Sequence, residues 1–334
     1  MIINSSIKNY SVEFHSKFDK QLEKIYNEGD VVIVDDGVLL DCKKFTNIRL
    51  KAGERTKSYE YLPIIIDKIL STSFSRGNKL IAIGGGTTQD AVSFIASILF
   101  RGVDWVFFPT TLLAQGDSCI GGKTSINYKN YKNQLGNYNP PDKVIICDSF
   151  LETLNDIDIK SGLGEMLHFF LVSSKSDTDF FQRHYKSSKQ ETIRRCLEIK
   201  KEFIELDEFD RGVRLLLNYG HTFGHAIENV TNYKYPHGIS VCFGMDMSNF
   251  ISMKLGYIDI HTYENLQELI FSVHNISLDK KISIESFITA LKKDKKNNML
   301  NNINCVLTRG VGDMFLTNIE ISEIKKLLGE YGLN

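Results

Sequence analysis

Apolar residues fall into two rhythms along the chain. Short, mostly apolar runs at Val31 to Val34, Lys79 to Ile83, Trp105 to Phe108 and Val144 to Cys147 read as strands buried on both faces. Stretches with helical spacing, Ala91 to Phe100 among them, lie between these runs. Strands alternating with helices predict an α/β arrangement around a parallel sheet. Past about residue 155 the helical rhythm takes over, in Ile157 to Val172, Lys189 to Leu206, Val213 to Thr231, His237 to Leu255 and Ile284 to Leu291. A small hairpin, Ile303 to Leu307 with Asp313 to Leu316, precedes a last helix from Ile321 to Leu328. The pattern divides the chain into an α/β domain over residues 1–155 and a mostly helical domain over residues 156–334. All five prolines fall in loops or at element starts, as the missing N–H requires.

Composition then excludes several classes. A chain of 334 residues can bury a large core, and 42% hydrophobic with 24% charged residues is ordinary for a globular protein. The net charge of -1 gives no pull toward nucleic acid or an acidic membrane surface. No run approaches the ~18 apolar residues of a membrane span. The start, Met1-Ile2-Ile3-Asn4-Ser5-Ser6, has no basic stretch followed by an apolar one, so no secretory leader is expected. The six cysteines are scattered singly, mostly in apolar stretches such as Ile145-Ile146-Cys147. They read as reduced structural thiols and predict a cytoplasmic protein.

Two segments carry candidate chemistry. In the first, a strand ending at Ile83 leads through Gly84-Gly85-Gly86-Thr87-Thr88-Gln89-Asp90 into the helix from Ala91. That order cradles a pyrophosphate when backbone amides and the positive helix end face it. It also suits a plain tight turn, and Gln89 stands where the dinucleotide fingerprint has its third glycine. In the second, His221 and His225 are four residues apart on a helix-forming background, so both imidazoles share a face. With His237 and Glu165 they offer the nitrogen and oxygen donors a divalent cation such as zinc prefers. Taken alone, such a pair is weak evidence, because histidines on an amphipathic helix are more often ordinary surface or core residues than ligands, and Thr222 stands where the zinc-protease motif has its glutamate.

Longer stretches, in order, resemble the 3-dehydroquinate synthase family. They are Gly84-Gly85-Gly86-x-x-x-Asp90, Pro109-Thr110-Thr111-Leu112-Leu113-Ala114-Gln115, Asp117-Ser118, Gly121-Gly122-Lys123-Thr124 and Lys132-Asn133. Further along come Gly162-Leu163-x-Glu165, Leu216 to Glu228, His237-Gly238 and Asp294-Lys295-Lys296. The resemblance runs from about Lys51 to Lys296. It implies a Rossmann-like NAD-binding domain with a parallel sheet, a mostly helical metal-binding C-terminal domain, and a homodimer. It also implies a sugar phosphate cyclase, which oxidises a hydroxyl, eliminates phosphate, returns the hydride and closes a carbocycle.

Carried over by position, the resemblance makes Glu165, His221 and His237 the ligands of zinc, with cobalt as the alternative. Asp90 stands where cofactor and substrate hydroxyls meet. Lys123, Asn133, Asn218, His225 and Lys295 bind phosphate or adjacent oxygens, and Lys200 and Arg214 lie near a substrate carboxylate. The cofactor set is Asp35, Glu54, Lys57, Gly85, Gly86, Thr87, Thr88, Gln89, Asp90, Thr110, Thr111, Lys123, Lys132, Phe150 and Thr153.

The chain departs from the family pattern in places. His168 replaces a lysine near the substrate, exchanging a fixed charge for a titrating one. Ile239 replaces the glutamate after His-Gly, removing a carboxylate expected to support the metal, and Gln89 replaces a glycine. The segment from Asp35 to Lys51 is short for the helix and strand expected there, predicting an abridged sheet edge. Arg214 favours a carboxylate-bearing substrate such as 3-deoxy-arabino-heptulosonate 7-phosphate. The alternatives are a specialised cyclase taking another heptulose or hexose phosphate, and an NAD- and metal-dependent polyol dehydrogenase.

Overall fold

The structure, a computed structural model, describes residues 1–39, 43–129, 131–293 and 301–334. The chain folds as two compact units, Met1–Leu154 and Asn155–Asn334.

The first unit is built on a seven-stranded sheet. Its strands are β1 (Ile2–Ile3), β2 (Tyr10–His15), β3 (Val31–Asp35), β4 (Asn47–Leu50), β5 (Leu80–Gly84), β6 (Trp105–Pro109) and, after a small hairpin of β7 (Ile126–Tyr128) and β8 (Tyr131–Leu135), β9 (Lys143–Cys147). The order is β1-β2-β9-β6-β5-β3-β4, parallel throughout except for the antiparallel β1 edge. Helices α1 (Asp19–Ile25), α2 (Leu62–Leu70) and α3 (Gly86–Ile98) accompany it. Alternate strand residues serve opposite faces. Val32, Val34, Ile81, Ile83, Val106, Phe108 and Ile145 pack with Phe18 and Leu22 of the α1 side, while Val31, Ile33, Leu80, Ala82, Phe107 and Ile146 are equally buried on the other face. A parallel sheet covered on both faces demands these continuous apolar runs.

Two edges differ from expectation. Strand β4 is present and pairs in parallel with β3, so the sheet is not cut back at that edge. Strand β2 continues the sheet beyond β9. Their sequences, Asn-Ile-Arg-Leu and Tyr-Ser-Val-Glu-Phe-His, mix polar residues because strands near an edge bury less of their surface. Helix α3 also begins at Gly86 rather than Ala91, so most of the glycine-rich segment is helix start and not turn.

The second unit is mostly helical, with α4 (Asp156–Ser173), α5 (Lys175–His184), α6 (Lys189–Leu206), α7 (His221–Val230), α8 (His237–Lys254), α9 (Ile260–His274), α10 (Ile284–Lys293) and α11 (Ile321–Tyr331). Strands β10 (Asn302–Thr308) and β11 (Met314–Glu320) form the hairpin. The helix expected over Val213 to Thr231 is two elements. A 3-10 turn spans Val213–Asn218, Tyr219 is non-helical (φ -54, ψ 124), and Gly220 takes a left-handed φ of 80° before α7 starts at His221. Among the described residues, no helix is long and apolar enough to cross a membrane. Cys119, Cys147, Cys196, Cys242 and Cys305 are buried thiols, none in a disulfide among the described residues, and Cys42 lies outside the described residues.

Candidate active site

The sheet itself creates the first candidate site. From β3 the chain moves outward to β4, then returns to the other side of β3 as β5 and continues to β6. The strand order therefore reverses between β3 and β5, and open α/β sheets bind ligands at the carboxyl ends of such a pair. Val34 pairs with Ile83, which sets Asp35 level with Gly84. The first bond within α3 runs from the Gln89 amide to the Gly85 carbonyl at 3.0 Å. The amides ahead of it open the helix and are available to an anion.

Side chains around this turn are braced against one another. The Thr88 hydroxyl donates to Asp35, whose carboxyl is nevertheless raised above its ordinary value, first by burial and then by Asp36. Gln89 makes two bonds to one residue, Nε2 donating to the Ser118 carbonyl at 2.6 Å and Oε1 accepting from Ser118 Oγ at 2.7 Å. Its side-chain amide thus braces α3 against the π-helical turn Ala114–Ser118. Lys57 Nζ reaches Asp90 Oδ2 at 2.8 Å and Asn133 Oδ1 at 2.9 Å. Burial pushes the Asp90 carboxyl up to about 6, with Lys57 opposing that rise.

The remaining cofactor candidates scatter around this frame. Glu54 accepts from Asn127 Nδ2 at 2.7 Å and lies 3.8 Å from Lys132 Nζ. The Thr110 amide bonds the Gly84 carbonyl, and Thr111 Oγ1 accepts from the Ala114 amide. Thr87 and Gly85 are partly exposed at the helix start, and Lys123 is exposed. Phe150 packs its ring 4.9 Å from Phe18 in the sheet core, so that side chain is taken by packing. Thr153 is exposed and bonds the Phe150 carbonyl.

The second unit brings a carboxylate and two imidazoles together. Glu165 comes from the middle of α4, His221 is the first residue of α7 and His237 the first of α8. His221 Nε2 lies 3.4 Å from Glu165 Oε1 and His237 Nε2 lies 3.3 Å from Glu165 Oε2. Close helix crossing makes this possible, since a Cβ on Gly238 would stand 1.8 Å from the Ser161 carbonyl oxygen. His221 Nδ1 faces the Tyr219 carbonyl and His237 Nδ1 faces Glu228, which leaves both Nε2 lone pairs turned to one carboxylate. Glu165 is 2% exposed, and its Oε2 has no hydrogen-bond partner among the described residues. Burial raises the Glu165 carboxyl, whereas the charges that His221 and His237 carry when protonated outweigh it and hold the group well below the usual carboxylate range. Three converging acceptor atoms with one buried oxygen unsatisfied form a set that could hold a divalent cation.

Other candidates ring this cluster or lie apart from it. His225 is 5.5 Å from His221 and 5.7 Å from His237, ring to ring. His168 is 1% exposed, and its Nδ1 donates to the Glu165 carbonyl at 2.6 Å. Arg214 is buried, with Nη1 donating to the Glu208 carbonyl at 2.5 Å. Lys200 is buried on α6 with its ammonium 5.8 Å from the Phe169 ring centre. Asn218 Nδ2 bonds the Leu215 carbonyl. Lys295 lies outside the described residues. Sequence reading missed Glu228, although its place three residues after His225 and seven after His221 puts it on their helix face. Position 239 offers no carboxylate, and Glu228 places one 2.9 Å from His237 Nδ1.

Comparison with known proteins adds an independent line. The profile described as "3-dehydroquinate synthase N-terminal" matches residues 47–161, and that described as "3-dehydroquinate synthase C-terminal" matches residues 159–297. A 3-dehydroquinate synthase of Alkaliphilus metalliredigens is 35% identical over 94% of this chain and 88% of its own length. One from Campylobacter curvus is 33% identical over 98% and 99%. Among solved structures, 2-deoxy-scyllo-inosose synthase complexed with carbaglucose-6-phosphate, NAD+ and Co2+ superposes with a TM-score of 0.89 at 21% identity, covering 99% of both chains. At that identity the likeness establishes the shared fold.

Proposed function

Because the chain belongs to the 3-dehydroquinate synthase family, we propose that it is an NAD- and metal-dependent sugar phosphate cyclase. Its substrate in this reading is 3-deoxy-arabino-heptulosonate 7-phosphate, from which it eliminates phosphate and forms a carbocycle. The convergence of Glu165, His221 and His237 carries the reading, since a buried carboxylate facing two imidazole nitrogens, with one oxygen left without a hydrogen bond, matches the ligand set of a divalent-metal site. When bound, NAD would store and return a hydride taken from the carbon that bears the hydroxyl, while a divalent metal, zinc in first place and cobalt in second, would acidify that hydroxyl for loss of its proton.

The chain's own residues do the rest. The amides opening α3 and the Asp35 carboxylate would hold the pyrophosphate and a ribose hydroxyl. Glu54, Thr110, Thr111 and Lys132 would line the same cofactor. Asp90, held by Lys57, offers an acceptor to a hydroxyl, and Asn133 is tied to the same ammonium. Lys123, Asn218, His225 and Lys295 would supply donors to phosphate. Arg214 and Lys200, both buried cations, would pair with the carboxylate. The family resemblance also supports a homodimer, which light scattering of the full chain would test.

Purified protein incubated with NAD, zinc and a panel of heptulose and hexose phosphates should release phosphate from the heptulosonate with no net NADH. Accumulation of NADH would favour the polyol dehydrogenase. Chelation should abolish turnover, and His221→Ala should lose bound metal, with undiminished stoichiometry refuting the ligand assignment. One observation favours a second reading, a specialised cyclase with another sugar phosphate. His168 is spent on the Glu165 carbonyl rather than standing as a fixed cation.

A further inference from the structure

His237 lies between two carboxylates. Its Nε2 is 3.3 Å from Glu165 Oε2, and its Nδ1 is 2.9 Å from Glu228 Oε1. Glu228 belongs to α7, and its side chain is only 15% exposed. A neutral imidazole ligates through one nitrogen only when its proton sits on the other, and an ionised carboxylate can only accept. The contact with Glu228 therefore keeps the proton on Nδ1 and turns the Nε2 lone pair toward Glu165. Among the described residues, His221 Nδ1 faces a carbonyl instead, that of Tyr219 at a longer 3.3 Å.

We infer that Glu228 is a positioning residue of the metal site, fixing the tautomer and the ring orientation of His237. The inference rests on reading Glu165, His221 and His237 as the metal ligands. It accounts for Ile239, which is fully buried with Phe223, Ile227 and Tyr235 in a core where a carboxylate could not be solvated. Support for His237 comes from the neighbouring helix α7 instead. Ligand atoms of His225, Glu228 and His237 also lie within 4.8 Å of one another. A second cation there would need His237 to give up both ring protons once the first site was filled, so the hydrogen bond is the better use of Glu228.

The test uses the full chain stripped of metal, with Glu228→Ala and the isosteric Glu228→Gln, each checked for unchanged circular dichroism. Nitrogen-15 NMR of labelled histidines should place the His237 proton on Nδ1 in the parent and shift it toward Nε2 in Glu228→Ala. Titration with cobalt chloride, followed by visible absorption, should give one equivalent in the parent. Affinity should fall about 10- to 100-fold in Glu228→Ala, and less in Glu228→Gln, whose amide oxygen still accepts. An unchanged tautomer, or cobalt affinities of both variants within about twofold of the parent, would overturn the inference. Two equivalents in the parent with one lost in both variants would also overturn it, making Glu228 a ligand of a second ion. If the parent binds no cobalt while its tautomer depends on Glu228, the metal assignment fails and the positioning role stands.

Discussion

Lys57 Nζ and Asp90 Oδ2 face each other at 2.8 Å, yet the pair does not restore Asp90 to ordinary acidity. Burial dominates and pushes the carboxyl up to about 6, with Lys57 only partly compensating. An ion pair that leaves its acid elevated is held for position rather than for stability. Both side chains are largely buried, at 8% and 18% exposed, so the fold has invested in keeping an acceptor beside the glycine turn.

The sign of the resulting pH dependence follows. The folded value lies above the ordinary 3.8, so the folded state binds the proton more tightly. That contribution is fully present below about pH 3.8 and is lost as pH rises through about 6. Between those limits the parent should lose ~3 kcal/mol relative to Asp90→Asn, which has no such titration. Denaturant unfolding of both proteins across this range measures it, with other carboxylates cancelling in the difference. A constant difference would mean that Asp90 titrates normally. Removing the partner with Lys57→Met should move the transition to higher pH.

Helix crossing sets the geometry of the Glu165, His221 and His237 cluster, which makes Gly238 the sharpest structural probe. A methyl group there would meet the Ser161 carbonyl oxygen at 1.8 Å and the Glu165 amide at 3.0 Å. Gly238→Ala should therefore drive α8 off α4, costing ~3 kcal/mol or more and loosening metal binding together. Gly77→Ala, where nothing lies within 4 Å, is the control and should stay within about 0.5 kcal/mol. Equal effects of the two substitutions would show that the close approach is not what places His237 opposite Glu165.

Gln89→Gly restores the dinucleotide fingerprint in sequence but removes both bonds to Ser118. Loss of these bonds and the added backbone freedom should cost ~2 kcal/mol, with no gain in NAD affinity. Calorimetric titration with NAD decides this. Tighter binding in the variant would mean that Gln89 obstructs the cofactor instead of bracing the turn.

How far the sequence could be read depended on whether a feature was local. Continuous apolar runs disclosed β3, β5, β6 and β9 because a strand buried on both faces can hardly look otherwise. Strands β2 and β4, mixed in polarity, left no such trace. The break at Gly220 escaped because Leu-Leu-Leu-Asn-Tyr-Gly-His keeps helical apolar spacing straight through a left-handed residue. Donor chemistry and family motifs singled out Glu165, His221 and His237, but the role of Glu228 needs α7 and α8 to cross. The Lys57 to Asp90 pairing spans 33 residues and has no local signature.

His168 tests the substrate assignment most directly. It is 1% exposed on α4, with Nδ1 bonded to the Glu165 carbonyl at 2.6 Å. A lysine there loses that bond and must bury its stem or send its ammonium toward the site, so His168→Lys should cost roughly 2 kcal/mol and several degrees of Tm. If the substrate is the heptulosonate, the restored cation should still raise phosphate release about tenfold, the effect of ~1.4 kcal/mol on the barrier. His168→Met, of similar length without charge, should lose stability with no gain in rate. A parent that already turns the heptulosonate over efficiently, and a slower His168→Lys, would make the histidine a competent replacement and remove the main ground for a specialised substrate. Slow turnover in both, with rapid release from another sugar phosphate, would instead place the specificity of this chain outside the shared reaction of its relatives.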